Sequence, residues 1–276
     1  MGRFDGILII SDVDGTLMST DMIVSERNRR AVSEFIKEGG AFSLATGRNK
    51  NSIATVTRQI EVNAPCVLVN GAMVYDAGAG RVMWEHFADE KRLKALVGEI
   101  MALEPALGTE IFTGSGMCVI RKNAMTELHK ARDPKDYYSS PLEAVPAPLY
   151  KAILTDTPEE LLAAAERLKK SGIEEKYPEF RFVFSENIFL EILPADVSKG
   201  GALSKLLSLT EGRFKKVYAA GDNFNDLELL SAADFSAATE NAVDEVKKAA
   251  DAIVGKSSDG AIADVIEIIK KTAGSL

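Results

Sequence analysis

The apolar run Ile7-Leu8-Ile9-Ile10 is followed almost at once by Asp12-Val13-Asp14-Gly15-Thr16-Leu17. This junction constrains the fold more than any other stretch of the chain. A short apolar run closed by a turn signal reads as a buried strand. In open α/β sheets ligands bind just beyond the carboxyl ends of the strands, which is where Asp12 and Asp14 fall. Two carboxylates one residue apart repel each other unless a cation or a proton is shared between them. Gly15 lets the backbone turn sharply beside them. The arrangement suits a Mg²⁺ site with one carboxylate free to act as nucleophile. The same residue types also make a plain solvated turn. A calcium loop fails on spacing: with Asp12 as its first position, the sixth, which needs glycine, is Leu17.

The first third of the chain alternates strands and helices. Residues 6–11 read as strand. Residues 25–38 read as a helix with Ser25 as N-cap and an apolar stripe of Ala31, Val32, Phe35 and Ile36, closed by Gly39-Gly40. Residues 41–45 are a second strand, followed by Thr46-Gly47-Arg48; residues 52–60 read as helix. Cys66-Val67-Leu68-Val69 reads as a third strand ending at Asn70-Gly71. Strand, helix, strand, helix, strand with short links implies a parallel, doubly wound sheet.

The middle differs. Residues 90–103 and 158–170 read as helices, the latter with Pro158 in its first turn. Hairpins are expected at 110–112 with 117–121, around Thr113-Gly114-Ser115-Gly116, and at 181–184 with 188–193. Residues 152–154 read as strand and 134–148 as a long loop. Hairpins mixed with helices indicate an α+β module. The last third returns to the first pattern, with helices at 198–209, 226–232, 242–250 and 261–271 and a strand at 217–220. The middle is thus expected as an insertion at 84–190 into one sheet domain formed by 1–83 and 191–276.

Length and composition bound the function. The 276 residues suggest about two domains, and the 46% hydrophobic content supplies a sizeable core. A net charge of -8 argues against a general nucleic-acid binder, which needs a basic face. The 2 cysteines, Cys66 and Cys118, each sit in an apolar stretch, with no disulfide framework or paired metal pattern. With 2 histidines and no HExxH, zinc hydrolysis is disfavoured. Aspartates interrupt the N-terminal apolar region, so no signal peptide is expected, and no apolar run approaches a membrane span. A cytoplasmic protein, monomeric or homodimeric, is the expectation.

Four polar clusters follow strands or open helices: Asp12/Asp14, Thr46-Gly47-Arg48, Ser198-Lys199-Gly200-Gly201 and Gly221-Asp222-Asn223-Phe224-Asn225-Asp226. A hydroxyl and a backbone N–H beside glycine, as at Thr46-Gly47, suit a phosphate oxygen. Lys199 at a helix start adds positive charge where the helix dipole already attracts anions. Asp222 after an apolar strand offers a hard oxygen to Mg²⁺. Each cluster alone reads equally as a turn, a surface charge or a cap. Four in this order make coincidence improbable.

With these residues in view, the chain resembles a phosphatase of the haloacid dehalogenase (HAD) superfamily, most similar to its Cof-type subfamily. The resemblance also draws on Asn70-Gly71-Ala72, Asn241-Ala242 and Asp259-Gly260, and covers nearly the whole chain. It implies a Rossmann-like core with an inserted α/β cap. It further implies Asp12 as nucleophile, forming an aspartyl-phosphate, and Asp14 as general acid and then base. Mg²⁺ would be held by the Asp12 carboxylate, the Asp14 backbone carbonyl and Asp222, with Asp226 behind them. Thr46, Gly47, Lys199 and Asn225 would hold the phosphoryl group. Arg48, Asn70 and Gly71 are further substrate-binding candidates. The substrate implied is a small phosphorylated metabolite such as a sugar phosphate or phosphoglycolate. A phosphomutase using the same aspartyl-phosphate and a non-catalytic phosphometabolite-binding protein are the alternatives.

Overall fold

The computed structural model describes residues 2–132 and 137–273. The chain divides into two compact units: Met1–Glu85 with Ser198–Leu276, and His86–Val197.

In the first unit, β1 (Ile7–Ser11) and β2 (Ala41–Leu44) are joined by α1 (Glu26–Lys37). The Ser25 side chain accepts a hydrogen bond from the Asn28 N–H, satisfying one of the free donors of the helix's first turn. The apolar side of α1 buries Val32 and Phe35. α2 (Ala54–Thr57) occupies only the middle of the helix expected at 52–60. The residues before it run as turns organised by Asn49, whose Oδ1 accepts the N–H groups of Asn51 and Ser52, each at 2.7 Å. β3 (Cys66–Leu68) reaches the parallel sheet through one Ala45–Val67 bridge. It pairs antiparallel with β4 (Met73–Asp76), which pairs with β5 (Arg81–Glu85). The strand expected in the parallel sheet therefore opens a separate three-stranded meander. The cause is the reversal after it: Val69, Asn70 and Gly71 have φ of 53°, 53° and 105°. A β-branched residue such as Val69 rarely adopts that conformation, so the sequence does not announce the turn.

The second unit is a six-stranded sheet with helices. Along the chain come α3 (Glu90–Leu103), β6 (Gly108–Thr113), β7 (Gly116–Arg121), α4 (Ala124–Arg132), β8 (Tyr137–Ser139), β9 (Leu149–Thr155), α5 (Pro158–Lys170), α6 (Ile173–Lys176), β10 (Phe180–Glu186) and β11 (Phe189–Pro194). The strand order is β10-β11-β9-β6-β7-β8. All pairs are antiparallel except β7 with β8. Leu96 and Ile100 of α3 and Leu161 and Leu168 of α5 share one buried cluster with Ile111, Leu154 and Ile192 of the strands. Asp89 and Thr157 cap α3 and α5 with their side chains, and Pro158 opens α5. The loop expected at 134–148 contains β8 and a 3₁₀ turn at Leu142–Ala144; its residues 134–136 lie outside the described residues. Glu191 to Pro194 complete β11, and Trp84 and Glu85 belong to β5 of the first unit.

The chain then returns to the first unit through α7 (Lys199–Leu209), β12 (Lys216–Gly221), α8 (Leu227–Ala232), β13 (Phe235–Thr239), α9 (Asp244–Ala249), β14 (Ala252–Val254) and α10 (Ala261–Ala273). Its main sheet has the order β14-β13-β12-β1-β2, every pair parallel. Leu8 and Ile10 of β1 join Ala202, Leu203 and Leu206 of α7 in one buried layer. Ile9, alternating to the other face, is buried too, and α1 and α10 pack together. From β1 the chain steps outward first to β2, then on the opposite side to β12. This is a topological switch point, where an open α/β sheet leaves a crevice beyond its strand ends. Among the described residues, no helix is long and apolar enough to cross a membrane.

Candidate active site

The switch point collects the charged residues of the first unit. The Asp12 N–H donates to Ala220 O at 2.9 Å, so the β1–β12 ladder runs one residue past the strand and fixes the Asp12 backbone. Val13 to Met18 then fold into a tight turn, with the N–H groups of Leu17 and Met18 both donating to Val13 O. Thr16 Oγ1 donates to Asp222 Oδ1 at 2.6 Å. Gly15 has φ of +88°, and a Cβ there would lie 2.4 Å from Asp222 Oδ2. Only glycine lets the two loops approach this closely.

Lys199 opens α7 behind the Ser198 N-cap, whose side chain accepts from the Gly201 N–H at 3.0 Å. Its side chain is wholly buried, and Nζ donates to Asp12 Oδ1 and to Asp226 Oδ1, each at 2.6 Å. Asp226 Oδ2 accepts the N–H groups of Asp222 and Asn223 at 2.9 and 3.1 Å. Asp226 thus has both oxygens engaged, which shapes the loop after β12. Carboxylate oxygens of Asp12, Asp222 and Asp226 lie within 4.8 Å of one another.

The second wall is made by two loops tied together. The Asn70 N–H donates to Thr46 O and the Val69 N–H to Arg48 O, both at 3.0 Å. A Cβ on Gly71 would lie 2.1 Å from Ser198 O, so this loop presses directly on the start of α7. Asn225 Nδ2 donates to Asn70 Oδ1 at 3.1 Å, while Asn225 Oδ1 is buried with no partner. The structure therefore brings Asp12, Asp222, Asp226 and Lys199 into one cluster, with Thr46, Asn70 and Asn225 linked alongside. The Asp14 carboxylate instead pairs with Arg48, through Nε at 2.9 Å and Nη2 at 2.6 Å. The sequence offers Arg48 as a further substrate-binding candidate and gives Thr16 no role. Thr16 stands inside the acidic hexapeptide, and that position was the available signal.

Burial drives the electrostatics. Desolvation pushes the Asp12 carboxyl up; Lys199 pulls it down; Asp226, Asp222 and Asp14 push it up again, leaving it well above the usual carboxylate range. Asp222 is pushed up to about 7, first by burial and then by Asp226. Burial alone would lower the Lys199 ammonium, but Asp12 and Asp226 hold it above the usual lysine range. Crowded, hard oxygen donors that resist ionising without a counter-charge fit a small divalent cation. Of the three acids, Asp12 and Asp222 have an oxygen to offer it, whereas Asp226 is committed to Lys199 and two backbone N–H groups.

A stability prediction follows from the signs. A carboxyl with a folded-state pKa above its unfolded value binds more protons in the folded state, so stability falls as pH rises through that window. For Asp222 the window runs from 3.8 to about 7. In excess chelator the melting temperature is therefore expected to fall as pH is raised across this range, and Mg²⁺ is expected to flatten the decline. Thermal melts showing the same pH slope with and without Mg²⁺ would contradict the placement of a cation among these acids.

Comparison with known proteins agrees with this architecture. Residues 9–266 match the family described as haloacid dehalogenase-like hydrolase. The Bacillus subtilis 5-amino-6-(5-phospho-D-ribitylamino)uracil phosphatase is 23% identical, over 94% of this chain and 96% of that protein. The crystal structure of TM0651 from Thermotoga maritima is 26% identical, with a TM-score of 0.76 over 96% of this chain and 97% of the other. The HAD subclass IIB sugar phosphatase BT4131 is 17% identical and shares the fold, with a TM-score of 0.78 over 95% and 98% of the two chains. The chain belongs to the haloacid dehalogenase-like hydrolase family, among its phosphatases.

Proposed function

We propose that the protein is a Mg²⁺-dependent phosphatase that hydrolyses a small phosphorylated metabolite, such as a sugar phosphate or phosphoglycolate, through an aspartyl-phosphate on Asp12. The observation that carries this reading is the Lys199 ammonium bridging Asp12 and Asp226. It anchors the Asp12 carboxylate through Oδ1, in a buried setting that disfavours the bare carboxylate.

In the first step an Asp12 carboxylate oxygen forms a bond to phosphorus and the ester P–O bond breaks. The departing oxygen takes its proton from Asp14. In the second step water attacks phosphorus, Asp14 takes the proton, and inorganic phosphate leaves as the Asp12 carboxylate is restored. Thr46, Gly47, Lys199 and Asn225 hold the phosphoryl oxygens. Asp12, the Asp14 backbone carbonyl and Asp222 would hold Mg²⁺, which when bound supplies neutralisation of phosphoryl charge. Asp226 positions Lys199 and the loop carrying Asp222. We assign substrate selection to the second unit, His86–Val197, which contributes none of these groups. The ribitylamino-uracil and sugar phosphatases among the similar proteins support a phosphorylated polyol or sugar as the substrate class.

The test is a panel of phosphorylated metabolites plus p-nitrophenyl phosphate, assayed for inorganic phosphate with Mg²⁺, Ca²⁺ or chelator. Turnover is expected with Mg²⁺ and a loss of about 100-fold or more in chelator. Ca²⁺ is expected not to substitute, because its larger, looser coordination misplaces the nucleophile. Full turnover in excess chelator overturns the metal assignment. Transfer to a sugar hydroxyl without phosphate release makes the enzyme a mutase instead.

A further inference from the structure

The Asp14 carboxylate is parked. Arg48 grips it with a two-pronged fork, Nε to Oδ2 at 2.9 Å and Nη2 to Oδ1 at 2.6 Å. Both oxygens face a permanent cation, yet a general acid must present one of them, protonated, to the leaving group. The guanidinium does not depend on Asp14 for its position. Nη1 donates to Thr55 Oγ1 at 3.0 Å and Nη2 touches Met22 Sδ at 3.4 Å. The Met22 segment is itself pinned by Gln59, whose Nε2 donates to Met22 O and whose Oε1 accepts from the Val24 N–H. The Arg48 side chain is only 13% exposed. It is a preset cation with an exchangeable anion.

We propose that Arg48 is a substrate-operated latch on Asp14: the entering phosphoryl group takes the guanidinium fork and frees the Asp14 carboxyl for proton transfer. The proposal rests on reading Asp14 as the acid and base of a phosphatase. The chemistry favours the exchange, because a guanidinium pairs bidentately with phosphate as readily as with carboxylate. An ester oxygen that takes its proton from Asp14 comes up to the carboxylate that Arg48 holds, so the phosphoryl group approaches the guanidinium as well. The latch keeps both oxygens of the acid occupied until an ester is bound.

Two anions competing for one cation are thermodynamically linked, and the linkage is reciprocal. The test is a double-mutant cycle on the Mg²⁺-loaded full-length protein, with Kd for inorganic phosphate measured by calorimetry. In Asp14→Asn the competitor becomes one neutral acceptor, and phosphate is expected to bind about tenfold more tightly than to wild type. In an Arg48→Gln background the same Asp14→Asn change is expected to alter Kd by about twofold or less. Arg48→Lys keeps the charge without the fork and is expected to give an intermediate gain; it replaces the glutamine variant should that one not fold. An equal gain in both backgrounds is simple removal of negative charge and overturns the latch while leaving the phosphatase reading intact. A wild-type protein that binds no phosphate overturns both.

Discussion

Asp12→Asn is expected to abolish turnover, lowering kcat by about 10³-fold or more, while the protein stays folded. The amide is nearly isosteric, but it is a poor nucleophile and a weak Mg²⁺ ligand. Stability is expected to hold or rise in chelator. The wild-type carboxyl is desolvated and crowded by Asp226, Asp222 and Asp14, and the amide removes that repulsion. Lys199 keeps Asp226 as a partner. Near-normal activity in a folded variant would remove Asp12 from the chemistry. A collapse in melting temperature would mean that the Asp12–Lys199 pair is chiefly structural.

Lys199→Met carries the largest expected stability cost. The ammonium is fully buried between two carboxylates, and removing it leaves both without a counter-charge. Breaking a buried ion pair from one side typically costs about 3–5 kcal/mol. Urea denaturation in chelator is expected to show a loss of that order. Adding Asp226→Asn to Lys199→Met is expected to return part of it, because one of the stranded charges is then gone. A cost below about 1 kcal/mol would mean that water or protonation relieves the cluster and that Lys199 is not its electrostatic keystone. Activity is expected to be lost in both variants, since neither restores the cation beside Asp12.

The residues of the candidate site were legible because each sits at a grammatical boundary of the sequence. Asp12 follows an apolar strand, Lys199 follows an N-capping serine, and Asp222 follows a second apolar strand. Helices with strong end signals were equally plain: Ser25 caps α1, and Pro158 opens α5 behind Thr157. Elements without such signals escaped. The centre of β13 is Ser-Ala-Ala, small residues with weak strand preference, and the segment lies between β12 and β14 in the sheet. The β4–β5 hairpin and the left-handed Val69 depend on packing that local propensity does not encode. The Asp14–Arg48 pair was hidden for a different reason. Both residues were visible 34 positions apart, but which anion an arginine holds is decided by where the Met22 and α2 segments place its head.

The interleaving of the main sheet also bears on how the enzyme is made. β1 lies between β2 and β12, and its partner Lys216–Gly221 is separated from it by more than two-thirds of the polypeptide. As the chain leaves the ribosome, β1 and β2 can pair early, but the ladder that fixes Asp12 waits for Ala220. Domains generally fold as units during synthesis, and residues 86–197 emerge complete before that strand does. Lys199 emerges between that unit and the strand, and Asp222 and Asp226 only after it. A nascent chain that has not yet reached residue 226 therefore carries Asp12 without the complete cluster of charged residues around it.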